Sequence, residues 1–525
     1  MQQRISKLRH LIVNNLPVIL ILILASFYRL YRIEDYMTFL GDEGRDVLVV
    51  YNILHGKLTL LGPTSSVGGF FLGPIYYYFM APFLWLFNYN PVGPAIGVAL
   101  IGIATVFLLY KIALTLFNKR IALIASFLYS ISPLVVTYSR SSWNPNPMPF
   151  VSLLTLISVF YAIKKNSLKL FVMCGFLMGI AFQLHYLALF LGTIVLFYVL
   201  FTTVYKSNLK RSIEQFIKRV GAIFLGLIIG WSPFLAFEIR HDFIDFKNVF
   251  NFVVHSQDTG VSSGLFSIIY DLFFRLFART IFGFPPIEHT GIYGNSILWA
   301  WSMLALAIGV LSVVILLSNF YKSLKVKNEN FYKYALLTFW LIIGISLFGL
   351  YKKAIYDYYL AFLFPLPFIL VAILFDYIYL NKKILMQKLL VLILIILIVF
   401  LNLRSIPFQY EPNRQLNQMK SIAKFVEDKT QGKPFNFALI TGGNSDHAYR
   451  YFFTIWNHAP ITIEDPVHDP QRKTITSQLF VVCESLPCEP LGHSLWEVAG
   501  FGRAEIVGKW NVSVVEIYKL VHYRE

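Results

Sequence analysis

The sequence predicts an all-α polytopic membrane protein with a small α/β domain at its C-terminal end. Of the 525 residues, 57% are hydrophobic and only 14% are charged, whereas soluble domains average about 25% charged residues. Long apolar runs recur before residue 404, and several approach the roughly 20 residues that cross a bilayer. The chain after residue 404 is polar and contains Pro, Asn and Gly. We therefore expect a membrane domain over 1–403 and an extramembrane domain over 404–525.

The apolar runs predict about 11 transmembrane helices with further helices beside the membrane. Arg4, Lys7 and Arg9 precede the first run and no small-residue cleavage pattern follows it, which favours an uncleaved helix. Cys174 falls inside a predicted span and is expected to be a packing residue. The predicted spans are 16–31, 92–116, 120–138, 147–163, 168–185, 187–205, 220–237, 294–318, 333–350, 358–380 and 385–403.

The placement of basic residues predicts the orientation in the membrane. Lys and Arg cluster in alternate loops, where Glu214 and Glu329 are the acidic residues, and the positive-inside rule makes these loops cytoplasmic. The net charge of +17 therefore reflects loop placement rather than nucleic-acid binding. We expect a multi-pass protein of the plasma or inner membrane, with its N-terminus cytoplasmic and its C-terminal domain outside. The basic loops contain Arg4, Lys7, Arg9; Lys111, Lys119, Arg120; Lys164, Lys165, Lys169; Lys206, Lys210, Arg211, Lys218, Arg219; Lys322, Lys325, Lys327, Lys333; and Lys382, Lys383, Lys388.

This orientation puts residues 34–91, 139–146, 238–293 and everything after about 404 on the outer side. Two segments of these outer regions are apolar without fitting the alternation of loops. We expect 73–88 to be an interfacial or re-entrant helix with its tyrosines at headgroup depth. We expect 264–283 to lie in the interface as well, because Asp271, Arg275 and Arg279 recur every four residues on an apolar background.

The C-terminal region shows the patterns of a small α/β domain. Ser421–Lys429 is typical of a helix, and strands are predicted at Phe435–Thr441, Gln478–Cys483 and Val514–Tyr518. Cys483 and Cys488 both lie in this region. A local disulfide and two free thiols remain alternatives for this pair in an oxidising outer compartment.

A cluster of charged residues follows the first span: Asp42, Glu43, Arg45 and Asp46. Carboxylates at a membrane boundary are costly, so such a cluster indicates a functional site by default. In a helix that begins here, Asp42 and Asp46 share a face and Arg45 stands beside Asp42. The alternative is a solvated helix start, where acidic residues favour the N-terminal dipole.

Further polar residues are expected on the same outer face and are candidates for substrate binding. Lysines in a short outer loop violate the charge rule, so they either snorkel to the surface or face a fixed anion such as a lipid phosphate. The sequence has no His-x-x-x-His pair, no Walker loop and no dinucleotide fingerprint. No cofactor is therefore expected, although a divalent metal remains open. These candidates are Tyr76, Arg140, Asn146, His185, Glu238, Arg240, His241, Lys352, Lys353 and Tyr358.

The order of these motifs resembles the GT-C class of polyprenyl-phosphate-sugar-dependent glycosyltransferases. An Asp-Glu pair follows the first span, Gly-Pro-x-Tyr-Tyr begins at Gly73, and the second outer loop carries Arg140. A Lys- and Tyr-rich loop then precedes a Pro-x-Pro span, and an outer domain ends the chain. The likeness covers about 1–403, and it is to bacterial relatives of protein O-mannosyltransferases and of the lipid A aminoarabinose transferase.

The resemblance implies roles for five residues. Asp42 corresponds to the proposed catalytic base with Glu43 as its companion, and Lys352, Lys353 and Tyr358 correspond to groups that hold the donor phosphate. A base near an acceptor hydroxyl and a cationic cradle for a departing phosphate are what such a transfer needs. Arg45 in the first outer loop or Arg140 in the second would balance the negative charge of Asp42 if it lies nearby.

The sequence departs from the family pattern at two places. Phe71-Leu72 stands where the aminoarabinose-transferase branch has Glu-Lys, and Asn146-Pro147-Met148 stands where an aspartate often precedes Pro-Met. These departures leave the acceptor and the use of a metal open.

The resemblance implies an inverting membrane glycosyltransferase. It would move a sugar from a polyprenyl-phosphate donor to a hydroxyl or phosphate of a lipid, glycan or protein acceptor, with membrane lipids around it and no nucleic-acid partner. The alternatives are a transporter or flippase of lipid-linked sugars and a ligase or polymerase of surface polysaccharide. Transporters commonly contain internal repeats and broken helices near the midplane, whereas this sequence has no convincing repeat and its charges gather at the outer face.

Overall fold

The computed structural model describes residues 2–205, 209–261, 264–286, 295–380 and 385–523. Before residue 404 it is helical, and this confirms the predicted fold class for the membrane part. Two 3₁₀ segments, Leu347–Leu350 and Asp357–Leu363, interrupt the α-helices. The α-helices of this part are α1 Gln2–Leu30, α2 Ile33–Tyr36, α3 Gly41–Leu54, α4 Ile75–Leu86, α5 Val92–Leu116, α6 Lys119–Ile131, α7 Pro133–Tyr138, α8 Met148–Lys165, α9 Leu168–Leu184, α10 Ala188–Val204, α11 Leu209–Gly230, α12 Ser232–Arg240, α13 Ile244–His255, α14 Leu265–Phe282, α15 Ser296–Val326, α16 Asn330–Ser346, α17 Pro365–Leu380 and α18 Leu385–Leu403.

Each predicted span corresponds to a helix or to two consecutive helices. Among the described residues, five helices are long and apolar enough to cross a membrane: α5, α8, α15, α18, and α16 with its 3₁₀ extension. Two bent pairs raise this number to seven, since α12 turns 75° from α11 and α17 turns 59° from the preceding 3₁₀ segment. The apolar part of α1, together with α9 and α10, is shorter. The chain is thus an integral membrane protein, while the 11 crossings and their orientation stay predictions.

Parts of the predicted topology lie outside the described residues. These parts are Lys206, Lys382 and Lys383 of the basic loops, and residues 262–263 and 287–294 of the outer segments and the span that follows.

The span predicted at 120–138 is interrupted. It forms α6 and α7, and the break falls at Ser132 because Pro133 cannot continue the helical hydrogen bonding. The Ser132 hydroxyl donates to the Thr280 carbonyl at 2.6 Å, which fixes the break against α14. This turn directs the second outer loop into the protein.

The position of the α4 tyrosines at headgroup depth stays a prediction, and the structure shows what these side chains contact. Tyr76 and Tyr77 are buried in the protein, because α4 packs between α3 and α5. The Tyr76 hydroxyl lies 2.7 Å from Ser142 Oγ in the second outer loop. These rings therefore hold α4 against the loops rather than against lipid.

The interfacial position of 264–283 also stays a prediction, but the structure gives a different reason for the charges of this segment. Helix α14 is buried along much of its length and packs against α15, α17 and α18. Its charged residues face a protein partner instead of headgroups: Arg275 and Arg279 both pair with Asp357. A buried carboxylate explains the periodic charges that the sequence pattern attributes to an interface.

The C-terminal region forms the predicted α/β domain. It contains α19 Gln415–Thr430, β1 Asn436–Ile440, α20 His447–Ile455, β2 Gln478–Cys483, α21 Trp496–Ala499, β3 Ala504–Val512 and β4 Val515–His522. The sheet order is β1-β2-β4-β3; β1 and β2 are parallel and the other pairs are antiparallel. Cys483 and Cys488 form a disulfide, and Cys174 is buried and free.

The predicted helix and three predicted strands of this domain match α19, β1, β2 and β4. The sequence did not predict β3 or α20. Strand β3 is an exposed edge strand, so it lacks the alternation of apolar residues that marks a half-buried strand. Helix α20 is too short for its sequence pattern to predict it, and its importance becomes clear only from the residues that it contacts.

The C-terminal domain packs onto the first outer loop. The Arg414 amide donates to the Asp35 carbonyl at 2.9 Å, and the Phe39 amide donates to Gln415 Oε1 at 3.1 Å. Helix α20 lies directly against α3: a Cβ on Gly44 would be 2.3 Å from the amide nitrogen of Ala448. The helix that carries the acidic cluster is therefore covered by the C-terminal domain.

The predicted orientation gives a direct test. A reporter that is active only outside the cytoplasm should be active when fused after residue 430, because the basic loops then stay together on the inner side. A matched fusion after residue 165, in a predicted cytoplasmic loop, should be inactive. The opposite pair of results would reverse the orientation.

Candidate active site

The acidic cluster forms the first turns of α3, as its spacing predicts. Arg45 lies between two carboxylates: its Nη1 is 2.8 Å from Asp42 Oδ1, and its Nη2 is 2.8 Å from Asp46 Oδ1. The Arg45 Nε also donates to Asp46 Oδ1, at 3.0 Å. One guanidinium thus fixes both carboxylates on one face of the helix.

Burial separates the three carboxylates of this turn. The Asp42 side chain is 54% exposed, whereas that of Asp46 is 2% exposed. Burial raises the pKa of Asp46 to about 6, although the charge of Arg45 acts in the opposite direction. Glu43 is buried and its Oε2 accepts the Leu40 amide at 3.1 Å; burial raises its pKa to about 7. Of the three carboxylates in this turn, that of Asp42 is the most exposed.

A cavity of about 630 Å³ opens beside Asp42. Three separate parts of the chain form its wall: the first outer loop and the start of α3, the second outer loop, and a turn of the C-terminal domain. These parts contribute Thr38, Leu40, Gly41, Asp42 and Glu43; Thr137, Tyr138, Ser141, Trp143 and Asn146; and Gly443, Asn444 and Ser445.

A smaller polar cavity of about 80 Å³ lies on the other side of Asp42. Asp42 and Trp143 line both cavities. The smaller one also contains Arg45, His185 and Tyr358, and its remaining wall includes the hydroxyl-bearing loop Thr64–Ser66. Asp42 therefore stands at the boundary between the two spaces.

An apolar cavity of about 130 Å³ continues this row. It shares Leu72 and Tyr186 with the small polar cavity. Aromatic side chains form most of its wall, from Phe70 and Phe71 and from Phe182, Trp231, Phe234 and Phe246. The row therefore runs from an apolar space, through a polar one, to the large cavity at Asp42.

Tyr358 is held at the polar cavity by Trp143 and by the contacts of Asp357, which precedes it in the loop of residues 351–359. Its ring packs against Trp143, with centroids 4.4 Å apart. The preceding Asp357 is buried and accepts from Arg275 Nε and Nη2 at 3.0 and 2.7 Å, and Arg279 pairs with its other oxygen. The two arginines of α14 thus position this loop.

Six of the residues predicted as site residues line the two cavities at Asp42. They are Asp42, Glu43, Arg45, Asn146, His185 and Tyr358. Asp46 stands behind them as the partner of Arg45. The other predicted residues lie elsewhere, and several of them satisfy backbone groups.

Arg140 and Glu238 complete helix ends. Arg140 is buried and donates from Nη1 and Nη2 to the carbonyls of Tyr28 and Tyr31, both at 2.7 Å, which are orphan acceptors at the end of α1. Glu238 is buried and accepts the Asp245 and Phe246 amides at the start of α13, at 3.3 and 3.0 Å. Neither residue lines these cavities.

Arg240 and His241 are exposed and also lie away from these cavities. His241 Nδ1 is 2.9 Å from the Phe237 carbonyl oxygen, within its own helical turn. Tyr76 bonds to Ser142, as described above, and is covered by protein.

The paired lysines lie in the loop of Tyr358 but outside the cavity walls. Lys353 Nζ forms an ion pair with Asp258 Oδ2 at 2.8 Å. Lys352 is exposed, and within the described part of the chain no carboxylate pairs with its ammonium group. One alternative from the sequence was that these lysines face a fixed anion. For Lys353 the structure shows such an anion, the carboxylate of Asp258.

Sequence reasoning missed the contribution of the C-terminal domain. Asn444 and Ser445 reach the cavity because β1 ends at Ile440 and the Gly442-Gly443 turn directs the chain toward α3. A Gly-Gly-Asn turn after a buried strand was the available signal. Among the described residues, no three His, Cys, Asp or Glu side chains cluster so that they could hold a metal ion.

Comparison with protein families gives a match to dolichyl-phosphate-mannose-protein mannosyltransferase over residues 72–236. A curated relative is YycA of Bacillus subtilis (strain 168), whose name provisionally assigns it to the mannosyltransferases. It is 27% identical over 161 residues, which cover 30% of this chain and 23% of that protein. The matched part thus spans less than a quarter of the relative.

Two solved structures share the fold over most of this chain. ArnT from Cupriavidus metallidurans, bound to undecaprenyl phosphate, is 12% identical with a TM-score of 0.61, covering 96% of this chain and 97% of that one. The oligosaccharyltransferase AglB from Archaeoglobus fulgidus, in complex with an inhibitory peptide and a dolichol-phosphate, is 13% identical with a TM-score of 0.54, covering 89% and 69%. The chain has the fold of the GT-C membrane glycosyltransferases, which confirms the resemblance noted in the sequence.

The raised pKa of Glu43 predicts a pH-dependent stability. Its ordinary value is 4.5 and its folded value is about 7, so between these pH values the folded state binds more protons than the unfolded state. The free energy of unfolding therefore falls as pH rises through this window. Glu43→Gln, which keeps an acceptor for the Leu40 amide, should remove this part of the pH dependence.

The melting temperatures of the purified wild type and of Glu43→Gln are measured across pH 4.5 to 7. Glu34→Gln, which changes an exposed glutamate, is the control. The wild type should lose stability relative to Glu43→Gln as pH rises, and Glu34→Gln should follow the wild type. Parallel curves for all three proteins would show that Glu43 does not titrate in this way.

Proposed function

We propose that the protein is an inverting glycosyltransferase that transfers a sugar from a polyprenyl-phosphate-linked donor to an acceptor hydroxyl or phosphate on the outer face of the membrane. The position of Asp42 carries this proposal. An exposed carboxylate at the boundary between a small polar cavity and a large open one can meet two substrates at once. A transfer reaction needs such a place, with the donor on one side and the acceptor on the other.

The donor side corresponds to the apolar and polar cavities. An apolar space lined by aromatic rings suits a polyprenyl chain, and the adjacent polar space offers Arg45, His185, Tyr358 and the hydroxyls of Thr64–Ser66 to a phosphate. The relatives with this fold support the assignment, because ArnT was solved with undecaprenyl phosphate and AglB with dolichol-phosphate. The sugar would then extend past Asp42 into the large cavity.

The acceptor side corresponds to the cavity of about 630 Å³, which is within the size range of small-molecule sites. In the proposed reaction the acceptor oxygen attacks the anomeric carbon and its proton passes to the Asp42 carboxylate. The new glycosidic bond forms as the bond to the phosphate oxygen breaks, and the phosphate leaves with the electron pair. A single displacement of this kind inverts the anomeric centre.

Cationic and hydroxyl groups would stabilise the charge that develops on the leaving phosphate. Arg45 is already shared between two carboxylates, so it cannot neutralise a phosphate alone. Lys352 and Lys353 belong to the same loop as Tyr358, and Lys352 has an exposed ammonium group. We propose that these lysines supply the remaining positive charge, as the family resemblance implies.

Transport of lipid-linked sugars is the second candidate. A transporter needs a route through the membrane, whereas the cavities described here gather around the outer loops and the C-terminal domain. A polysaccharide ligase or polymerase would use the same chemistry with a longer acceptor. An assay of purified protein in liposomes with defined lipid-linked donors separates these functions, because a transporter moves the donor without cleaving it.

The central test is Asp42→Asn in this assay. The change is nearly isosteric and the residue is exposed, so folding should survive while turnover falls about 10² to 10⁴-fold, the usual effect of losing a general base. Asp35→Asn is a matched control in the same outer segment, and it should retain turnover. If Asp42→Asn keeps turnover and Glu43→Gln abolishes it, Glu43 is the base. If neither substitution matters, the mechanism is wrong.

The lysines provide a second test. Lys352→Ala should raise the KM for the donor about tenfold, since charge-assisted bonds to phosphate are among the stronger ones. Lys353→Ala should have a smaller effect, because Asp258 already balances that charge, and the double variant should be worse than either. Lys57→Ala, an exposed lysine of the first outer segment, is the control. An unchanged KM in the double variant would leave both lysines as surface residues.

A further inference from the structure

The first helical residue of α3 is bound by a side chain from the other domain. The Gly41 amide donates to Asn444 Oδ1 at 2.8 Å. This amide is one of the orphan donors at a helix start, and the preceding Leu40 has no polar side chain to accept it. Asn444 therefore caps α3 from outside, one residue before Asp42.

Glu484 fixes the orientation of this amide group. Asn444 Nδ2 donates to both Glu484 oxygens, at 3.1 and 3.0 Å, while Asn444 Oδ1 also accepts the Ser445 amide at 2.9 Å. A carboxylate can only accept, so the amide nitrogen must face Glu484 and the oxygen must face Gly41. The orientation that caps α3 is thereby selected.

Glu484 is itself held on several sides. Thr441 Oγ1 and the Tyr449 hydroxyl donate to its carboxylate at 3.0 and 2.8 Å. Its backbone amide donates to the Ile440 carbonyl at 2.9 Å. Glu484 follows Cys483 at the end of β2, and the disulfide to Cys488 closes the loop that contains it.

Close approach of the backbones leaves this contact little freedom. A Cβ on Gly41 would lie 2.2 Å from Ser445 Oγ and 2.7 Å from the Ser445 amide nitrogen. A side chain at this position would therefore displace the turn that carries Asn444. Glycine at position 41 is therefore required by the close packing of the C-terminal domain and not by the helical conformation of α3.

We propose that Asn444 and Glu484 are positioning residues that place Asp42 from the C-terminal domain. Glu484 orients the Asn444 amide, and the amide fixes the first turn of α3 and with it the direction of the Asp42 side chain. Misplacement of a reacting group by about 1 Å can cost a factor of about 10² in rate. In its kinetic consequence the proposal rests on the proposed function, whereas its structural consequence does not.

An exchange of chemical groups tests the pair. Asn444→Asp keeps an acceptor for Gly41 but places a second carboxylate against Glu484, which is unfavourable. Glu484→Gln alone should be mild, since it keeps an acceptor for Asn444. The double variant Asn444→Asp/Glu484→Gln restores a donor facing an acceptor, with the roles reversed. Glu516→Gln is the matched control: Glu516 likewise accepts a tyrosine hydroxyl, that of Tyr518 at 2.7 Å, but pairs with Lys509.

Two measurements are made on each full-length protein: hydrogen exchange of residues 41–46, and kcat with donor KM in the liposome assay. Asn444→Asp should exchange about tenfold faster in this segment and lose about 10- to 100-fold in kcat, with donor KM within about twofold. Adding Glu484→Gln should bring both quantities back to within about threefold of the wild type. Adding Glu516→Gln instead should restore neither.

The proposal is overturned if Asn444→Asp leaves exchange in residues 41–46 unchanged. It is also overturned if exchange rises equally throughout the C-terminal domain, or if Glu516→Gln rescues as well as Glu484→Gln. If the wild type transfers no sugar, the proposed function fails, and the exchange data alone then decide whether Asn444 and Glu484 position α3.

Discussion

The contact between the start of α3 and the C-terminal domain is the constraint on which the site depends. Gly41 and Gly44 lie so close to the 444–448 segment that neither position has room for a side chain. Asp42 and Glu43 stand between these two glycines, so the directions of both carboxylates follow from how the backbones meet. The large cavity exists because the same segment also forms part of its wall. A site assembled in this way requires both domains.

The three carboxylates in the first turns of α3 differ in how far the protein buries them. Asp46 and Glu43 are buried, and burial raises the pKa of both, to about 6 and about 7. Both side chains are covered by protein, so they are less accessible from the cavity than the Asp42 carboxylate. Asp42 keeps access to solvent and also has Arg45 as a partner at 2.8 Å. Three acids that are equivalent in the sequence thus differ because the fold covers two of them.

The sequence predicts well what depends on neighbouring residues along the chain. The position of Arg45 between Asp42 and Asp46 follows from helical spacing, and β2 follows from an apolar run. The roles of Arg140 and Glu238 could not be predicted, since they depend on which helix ends lie nearby. Each was expected to bind substrate because it is a charged residue at the outer face, and each instead satisfies backbone groups of a neighbouring helix.

The same limit applies to α14 and to α20. Charges at every fourth residue of an apolar helix predict a membrane interface unless a buried partner exists, and Asp357 is that partner for Arg275 and Arg279. Helix α20 is short, and its contact with Gly44 of α3 could not be predicted from the sequence because it depends on how distant parts of the chain pack.

The two sides of Asp42 share residues of the first and second outer loops, and they differ in that the C-terminal turn lines only the large cavity of the two. In the proposed function a lipid-linked donor is reached from the membrane. The side assigned to it is formed by loops tied to membrane helices, with Tyr358 held through Asp357 by α14. In the same proposal, an acceptor that arrives from outside would meet the turn of residues 443–445, which lines the large cavity. Changes in that turn alter the large cavity without touching the apolar one. Within the proposed function, the membrane part forms the donor side, whereas the acceptor side combines loops of the membrane part with a turn of the C-terminal domain.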